Sequence, residues 1–186
     1  MPLYSSQSNC KVTDLREICL QFGPGAEAYL HLGLSRQISK EEALEVLKVA
    51  EKEGLVLSPL NALYPTGFCL CCACCCEYLG NKRKLPRPVE FFETNYYAVI
   101  TPDQCTGCGT CVDRCQMDAL TLIDEISTVN RDRCIGCGIC VPTCPEEAIK
   151  LQKIDEEKIY SQTIPKSVSR LYQKIYTKKK EIQKKG

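Results

Sequence analysis

The chain has 186 residues, 44% apolar and 25% charged, and its 24 Lys and Arg against 23 Asp and Glu leave a formal charge of +1. That size suits one compact domain or a small domain with extensions. No apolar run approaches the roughly 18 to 20 residues that cross a bilayer, and Met1 to Cys10 has neither a basic nor an apolar signal region, so the expectation is a cytoplasmic chain without a membrane span or secretory signal. Sixteen residues are Cys, about one in twelve and far above ordinary usage; in a chain that is not exported, thiolate metal ligands account for them better than disulfides.

Taken in order, residues 1–63 read as a small helical domain. Ser39 is placed to cap a helix, Glu42 completes a capping box and Gly54 stands at the stop position. Ala43, Leu44, Leu47 and Ala50 then share one face. A shorter helix is predicted around Asp14 to Leu20, and Leu55-Val56-Leu57 before Ser58-Pro59 reads as a short strand. Residues 64–88 join a dense cysteine block (Cys69, Cys71, Cys72, Cys74, Cys75, Cys76) to the basic, Pro-bounded run Asn81 to Pro88, and predict irregular backbone and a linker.

Residues 89–153 contain an internal repeat. Cys105-Thr-Gly-Cys108-Gly-Thr-Cys111 recurs 29 residues on as Cys134-Ile-Gly-Cys137-Gly-Ile-Cys140, and Ala119-Leu120 is mirrored by Ala148-Ile149. Each half predicts a short strand, a ligand loop, a short helix and a short strand, with Tyr96 and Tyr97 opening the first strand. Residues 154–186 are basic: from Lys150 onward 11 Lys and Arg face 4 acids, leaving a net −6 before it. Val168, Leu171, Tyr172, Ile175 and Ile182 fall on one face of a predicted basic helix over 167–182. Such a helix suits an acidic partner, peripheral contact with an anionic membrane, or solvent on one side and its own domain on the other.

Cys105, Cys108, Cys111, Cys115 and Cys134, Cys137, Cys140, Cys144 both keep the x2, x2, x3 spacing of bacterial ferredoxins. Two intervening residues let the backbone curl around a cubane with its amides toward sulfur, and the glycines at 107, 109, 136 and 138 permit the close approach. A structural zinc site is the competing explanation of CxxC pairs, and the doubled register opposes it. Gln116 stands where the second quartet has Pro145; a locally altered turn is expected there. The segment resembles a two-cluster 4Fe-4S ferredoxin domain with pseudo-twofold symmetry. The resemblance implies that Cys105, Cys108, Cys111 and Cys144 hold one cluster, and that Cys134, Cys137, Cys140 and Cys115 hold the other.

The dense block offers more thiols than one ion or cubane takes. A third iron-sulfur cluster or metal, a reactive thiol pair activated by Lys82 and Arg83, and a structural Cys-rich turn are the readings open to it, with Cys10, Cys19 or His31 as further ligands. From Ile38-Ser-Lys-Glu-Glu-Ala-Leu through Glu53-Gly-Leu-Val and Cys69-Leu-Cys-Cys-Ala-Cys-Cys-Cys to the quartets, roughly residues 15 to 152, the chain is similar to a family of anaerobic bacterial and archaeal 4Fe-4S dicluster proteins with a CxCCxCCC block. That family is described chiefly as iron-sulfur binding.

Together these readings predict an α+β chain. A ferredoxin-like two-cluster domain follows a helical, Cys-rich N-terminal domain and precedes a basic C-terminal helix. The expected function is relay of single low-potential electrons, as a free carrier or as the wiring subunit of an anaerobic oxidoreductase, working with a redox partner protein and without catalysis of its own. The alternative is a redox enzyme or sensor whose Cys69–Cys76 block is fed by the two clusters. No nucleic-acid motif, phosphate loop or His-based catalytic set is present.

Overall fold

The computed structural model describes residues 10–59, 67–92 and 94–154. The basic helix predicted over 167–182 lies outside them. The described chain is mixed α and β, and its order is β1 (Leu20–Gln21), α1 (Gly23–His31), α2 (Lys40–Lys52), β2 (Val56–Pro59), β3 (Gly67–Cys71), α3 (Glu77–Arg83), β4 (Tyr96–Ile100), α4 (Thr110–Arg114), β5 (Leu120–Ile123), β6 (Ile126–Val129) and β7 (Ile149–Lys153).

Helix α2 forms as its sequence dictates. The Ser39 hydroxyl accepts from the Glu42 amide at 3.1 Å, Glu41 and Glu42 face the positive end of the helix dipole, and Gly54 takes φ +81° at the stop. Leu44 points to solvent, however, and it is Val46, Leu47 and Ala50 that pack inward, with Leu55, Leu70, Cys72, Cys10, Val12 and Ile18.

The helix expected at Asp14 to Leu20 is not there. Leu20 instead pairs with Phe68 in a strand, and α1 begins at Gly23, where Pro24 fits the first turn because that turn needs no N–H from it.

The N-terminal unit is therefore not purely helical, and within the predicted irregular span Gly67–Cys71 form a strand and Glu77–Arg83 a helix. The strand β3, in the first half of the cysteine block, is the centre of an antiparallel sheet of order β1-β3-β2, with Leu20 opposite Phe68 and Val56 opposite Cys71. Alternation gives the sheet two covered faces. Phe68, Leu70 and, just past the strand, Cys72 meet the α2 core, whereas Val56 and Cys71 join Leu79, Met117, Ile135 and Ile139. The second group includes residues of the cysteine-repeat region, so the sheet is a middle layer between α2 and the quartets. Leu55 is fully buried in the first core. Leu55→Ala is expected to cost about 2–5 kcal/mol in the unfolding of the N-terminal unit, read by urea titration.

In the repeat region β4 pairs antiparallel with β7, Tyr96 opposite Lys153 and Ile100 opposite Ile149, while β5 and β6 form a hairpin. Both halves present a ligand loop, but only the first has its helix. In α4 the Asp113 amide donates to the Gly109 carbonyl at 3.2 Å. The matching position in the second half is Pro142, which has no N–H and turns Val141 away from helical geometry, so that a turn replaces the expected helix.

Candidate iron-sulfur and thiolate sites

Residues far apart in sequence meet around the first ligand loop. Cys105, Cys108, Cys111 and Cys144 line one small cavity with Gly109, Leu122 and Ser127. In the second loop Cys137, Cys134 and Cys115 all lie close enough for their charges to act on Cys140. Burial, the largest effect, pushes the Cys137 thiol up to about 11 and the Cys140 thiol up to about 12. Thiols so placed must lose protons to bind metal, and loading the site releases them.

Backbone amides already point at sulfur. Ser127 donates to Cys105 Sγ and Ala98 to Cys134 Sγ, each at 3.4 Å; Ala119 donates to Cys115 Sγ and Ala148 to Cys144 Sγ, each at 3.3 Å. Amides aimed at thiolates favour the charged form and tune a bound cluster. Two glycines sit where no side chain fits. A Cβ on Gly107 (φ +68°) would run into the Glu125 carbonyl, and one on Gly136 (φ +65°) into the Tyr96 carbonyl. The donor set and these close loops fit 4Fe-4S cubanes.

The substitution of Gln116 for Pro145 does not alter the turn. Asp118 and Glu147 take φ +51° and +50°, and the same amide-to-sulfur bond follows in each half. The Gln has another task. Its amide nitrogen donates to the Gly54 carbonyl at 3.2 Å and its oxygen accepts from the Ala73 amide at 3.0 Å, tying both ends of the N-terminal sheet region to the residue after Cys115. Arg114 donates to the Glu51 carbonyl at the end of α2, Arg83 pairs with Asp118, and Met117 is buried between them. The run from Arg114 to Asp118 is thus a docking segment threaded through a ligand position. Gln116→Pro, which restores the pattern of the second half, is expected to leave cluster content intact. It should lower the protection of the Ala73 and Leu70 amides in hydrogen exchange by about thirtyfold, from two lost bonds at about 1 kcal/mol each.

The dense block does not act as one set. Cys72, Cys74 and Cys75 gather with Cys10, with all four sulfurs within 4.8 Å of one another. Cys71 lies beside Cys69 and Cys76, and the interaction among the three raises the Cys71 thiol and lowers the other two. Cys19, extending the β1 register opposite Cys69, is raised first by burial and then by the charges of Cys69 and Cys76. A cavity of about 340 Å³ lies between the two sets, walled by Cys10, Cys19, Cys71, Cys72, Cys75 and Cys76.

Lys82 and Arg83 are not the activating cations. Lys82 Nζ stands 3.5 Å from the centre of the Tyr78 ring and donates to the Phe91 carbonyl, and Arg83 is held by Asp118. His31 ends α1 and joins no ligand group among the described residues. Cys10 was readable only as one of three optional ligands, because its three partners lie 62 or more residues away.

Comparison with known proteins agrees with this geometry. A family model described as a 4Fe-4S dicluster domain matches residues 96–151, and a second of the same description matches residues 133–181. No curated protein matches the chain. Among the described residues no helix is long and apolar enough to cross a membrane. A Cys-rich N-terminal region precedes the paired quartets in this chain, which carries a two-cluster 4Fe-4S domain of the ferredoxin type, the kind of domain that serves iron-sulfur electron transfer.

Proposed function

We propose that the chain relays single low-potential electrons through two cubanes as the wiring subunit or dedicated carrier of a larger oxidoreductase. Cys105, Cys108, Cys111 and Cys144 hold one cluster, and Cys134, Cys137, Cys140 and Cys115 hold the other. The observation that carries this reading is the gathering of the first four thiols on a single cavity although Cys144 comes from the other repeat. Residues 89–153 act as the electron-transfer domain, with its halves related by a pseudo-twofold axis. When bound, the clusters supply one-electron chemistry; the chain supplies thiolates, amides and the apolar walls of Ala98, Leu120 and Ile149 that exclude water.

The docked N-terminal unit favours a subunit over a free carrier, since a carrier needs only residues 96–151. Anaerobically purified protein is expected to hold about eight irons and about eight sulfides per chain, and to show two interacting signals in electron paramagnetic resonance (EPR) after dithionite reduction. Reversible reduction in protein-film voltammetry completes the test. Zinc in place of iron, or irreversible loss of the clusters on reduction, overturns it.

A second reading, a redox enzyme or sensor fed by the clusters, is favoured by one contact region. Cys71 and Cys76 pack in the same core as Cys115 and Cys137. In that case Cys71→Ser with Cys76→Ser abolishes a cluster-dependent change in thiol alkylation rate and leaves iron content unchanged.

A further inference from the structure

The cysteine block is divided by the strand it belongs to. Alternation along β3 sends Cys69 and Cys71 to the face that meets the quartet region, and the next residue, Cys72, to the opposite core. The turn after Cys72 is closed by the Cys76 amide donating to the Cys72 carbonyl at 3.2 Å. It brings Cys74 and Cys75 back beside Cys72, where the segment before β1 delivers Cys10. The Sγ separations are 3.4 Å for Cys10 and Cys72, 3.7 Å for Cys10 and Cys74, 3.1 Å for Cys72 and Cys74, and 3.1 Å for Cys72 and Cys75.

Those lengths decide what fits. A metal ion bound by four thiolates at about 2.3 Å sets its sulfurs at tetrahedral edges of about 3.8 Å. A cubane places four irons between its cysteines and holds them farther apart. Among the described residues no other three or more His, Cys, Asp or Glu ligand atoms come within 4.8 Å of one another, so neither ferredoxin quartet is this tight. The chain thus displays both sizes of thiol set, and the Cys10 set is the small one.

Amides support it as they support the quartets. The backbone of Thr13 and Val12 favours the charged form of the Cys10 thiol, and that of Cys75 the charged form of Cys72. Tetrahedral all-sulfur coordination selects zinc or a single iron among common metals.

We infer that Cys10, Cys72, Cys74 and Cys75 form a mononuclear tetrathiolate site for one divalent zinc or iron ion, separate from the cubanes and from Cys19, Cys69, Cys71 and Cys76. The ion staples residues 10–13, which belong to no helix or strand, to the turn that follows β3. It closes the core in which Cys10, Val12 and Ile18 pack on Leu55, Leu70 and Cys72.

The test is elemental analysis of the full chain purified without oxygen, with sulfide measured on the same sample. One zinc per chain, or a ninth iron without a ninth sulfide, is expected beyond the about eight irons and eight sulfides of two cubanes. Cys74→Ser with Cys75→Ser should lose that one ion and keep the reduced-state EPR signals, whereas Cys69→Ser should keep both. Where the extra metal is zinc, X-ray absorption of the unaltered protein at the zinc edge should show four sulfurs at about 2.3 Å; where it is iron, Mössbauer spectra should show one high-spin ferrous site beside the cubane irons, and either readout is independent of variant folding. About twelve irons with about twelve sulfides would mean a third cubane and overturn the proposal. So would the absence of any ninth metal, or loss of the ion in Cys69→Ser. Sulfide and EPR report the two cubanes separately, so failure here leaves their reading standing.

Discussion

Cys115→Ala is expected to halve the iron of the anaerobically purified protein, from about eight to about four, and to collapse two interacting EPR signals into one isolated signal. The reason is the proposed crossing of the ligand sets. Cys115 follows the first loop in sequence, yet it lies with Cys134, Cys137 and Cys140, so its loss should remove the cluster of the second loop and spare that of the first. The effect on folding is large as well, since cluster binding is folding free energy, on the order of 10 kcal/mol for structural metal sites. Cys115 is also flanked by Arg114 and Gln116, and the variant should loosen the N-terminal unit, visible as faster exchange of the Ala73 amide. Retention of all eight irons, or survival of the second-loop signal alone, would sink the crossed assignment.

Gly136→Ala comes next in size. A left-handed φ costs a residue with a Cβ about 1 kcal/mol, and here the new methyl would also meet the Tyr96 carbonyl and the Thr94 hydroxyl. The carbonyl is backbone at the start of β4, which is pinned to β7, so it cannot swing aside as a side chain would. The expected result is loss of the second-loop cluster and a fall in thermal stability of at least 10 °C, read by loss of visible absorbance on heating, since 1 kcal/mol is worth about 4–8 °C in a domain of this size. Gly109→Ala is the control. It bears the φ cost alone, because its Cβ would meet only the Leu122 side chain at 3.6 Å. Equal loading of the two variants would remove the steric argument.

Legibility in the sequence followed the range of each interaction. The quartets and α2 could be read because their signals are local: Cys spacing within ten residues, Ser39 with Glu42, and Gly54 at the stop. Strand β3 could not, since its alternation of Phe68 and Leu70 against Cys69 and Cys71 is masked when half the residues are thiols that suit either face. Helix α1, which starts at Gly23-Pro24-Gly25, has no side-chain cap and is not predicted. Gln116 stood out as a departure from the repeat, but the carbonyl it seeks is 62 residues away, and no pattern near it names Gly54. The same holds for Cys10. The division of the block into two thiol sets depends on which face of a sheet each residue meets, and that exists only after folding.

The docking segment from Arg114 to Asp118 makes the two ends of the proposed relay unequal. Cys115 and Cys137 lie against the N-terminal unit, sharing a core with Val56, Leu79 and Met117, whereas Cys108 is exposed and Leu122, Ile123 and Ile126 of the neighbouring hairpin face solvent. One cluster therefore has a dry neighbour that belongs to the chain itself, and the other has a wet apolar rim open to a second protein. In the proposed relay, traffic acquires an inner and an outer terminal, a polarity set by packing even though the two halves share one ligand pattern.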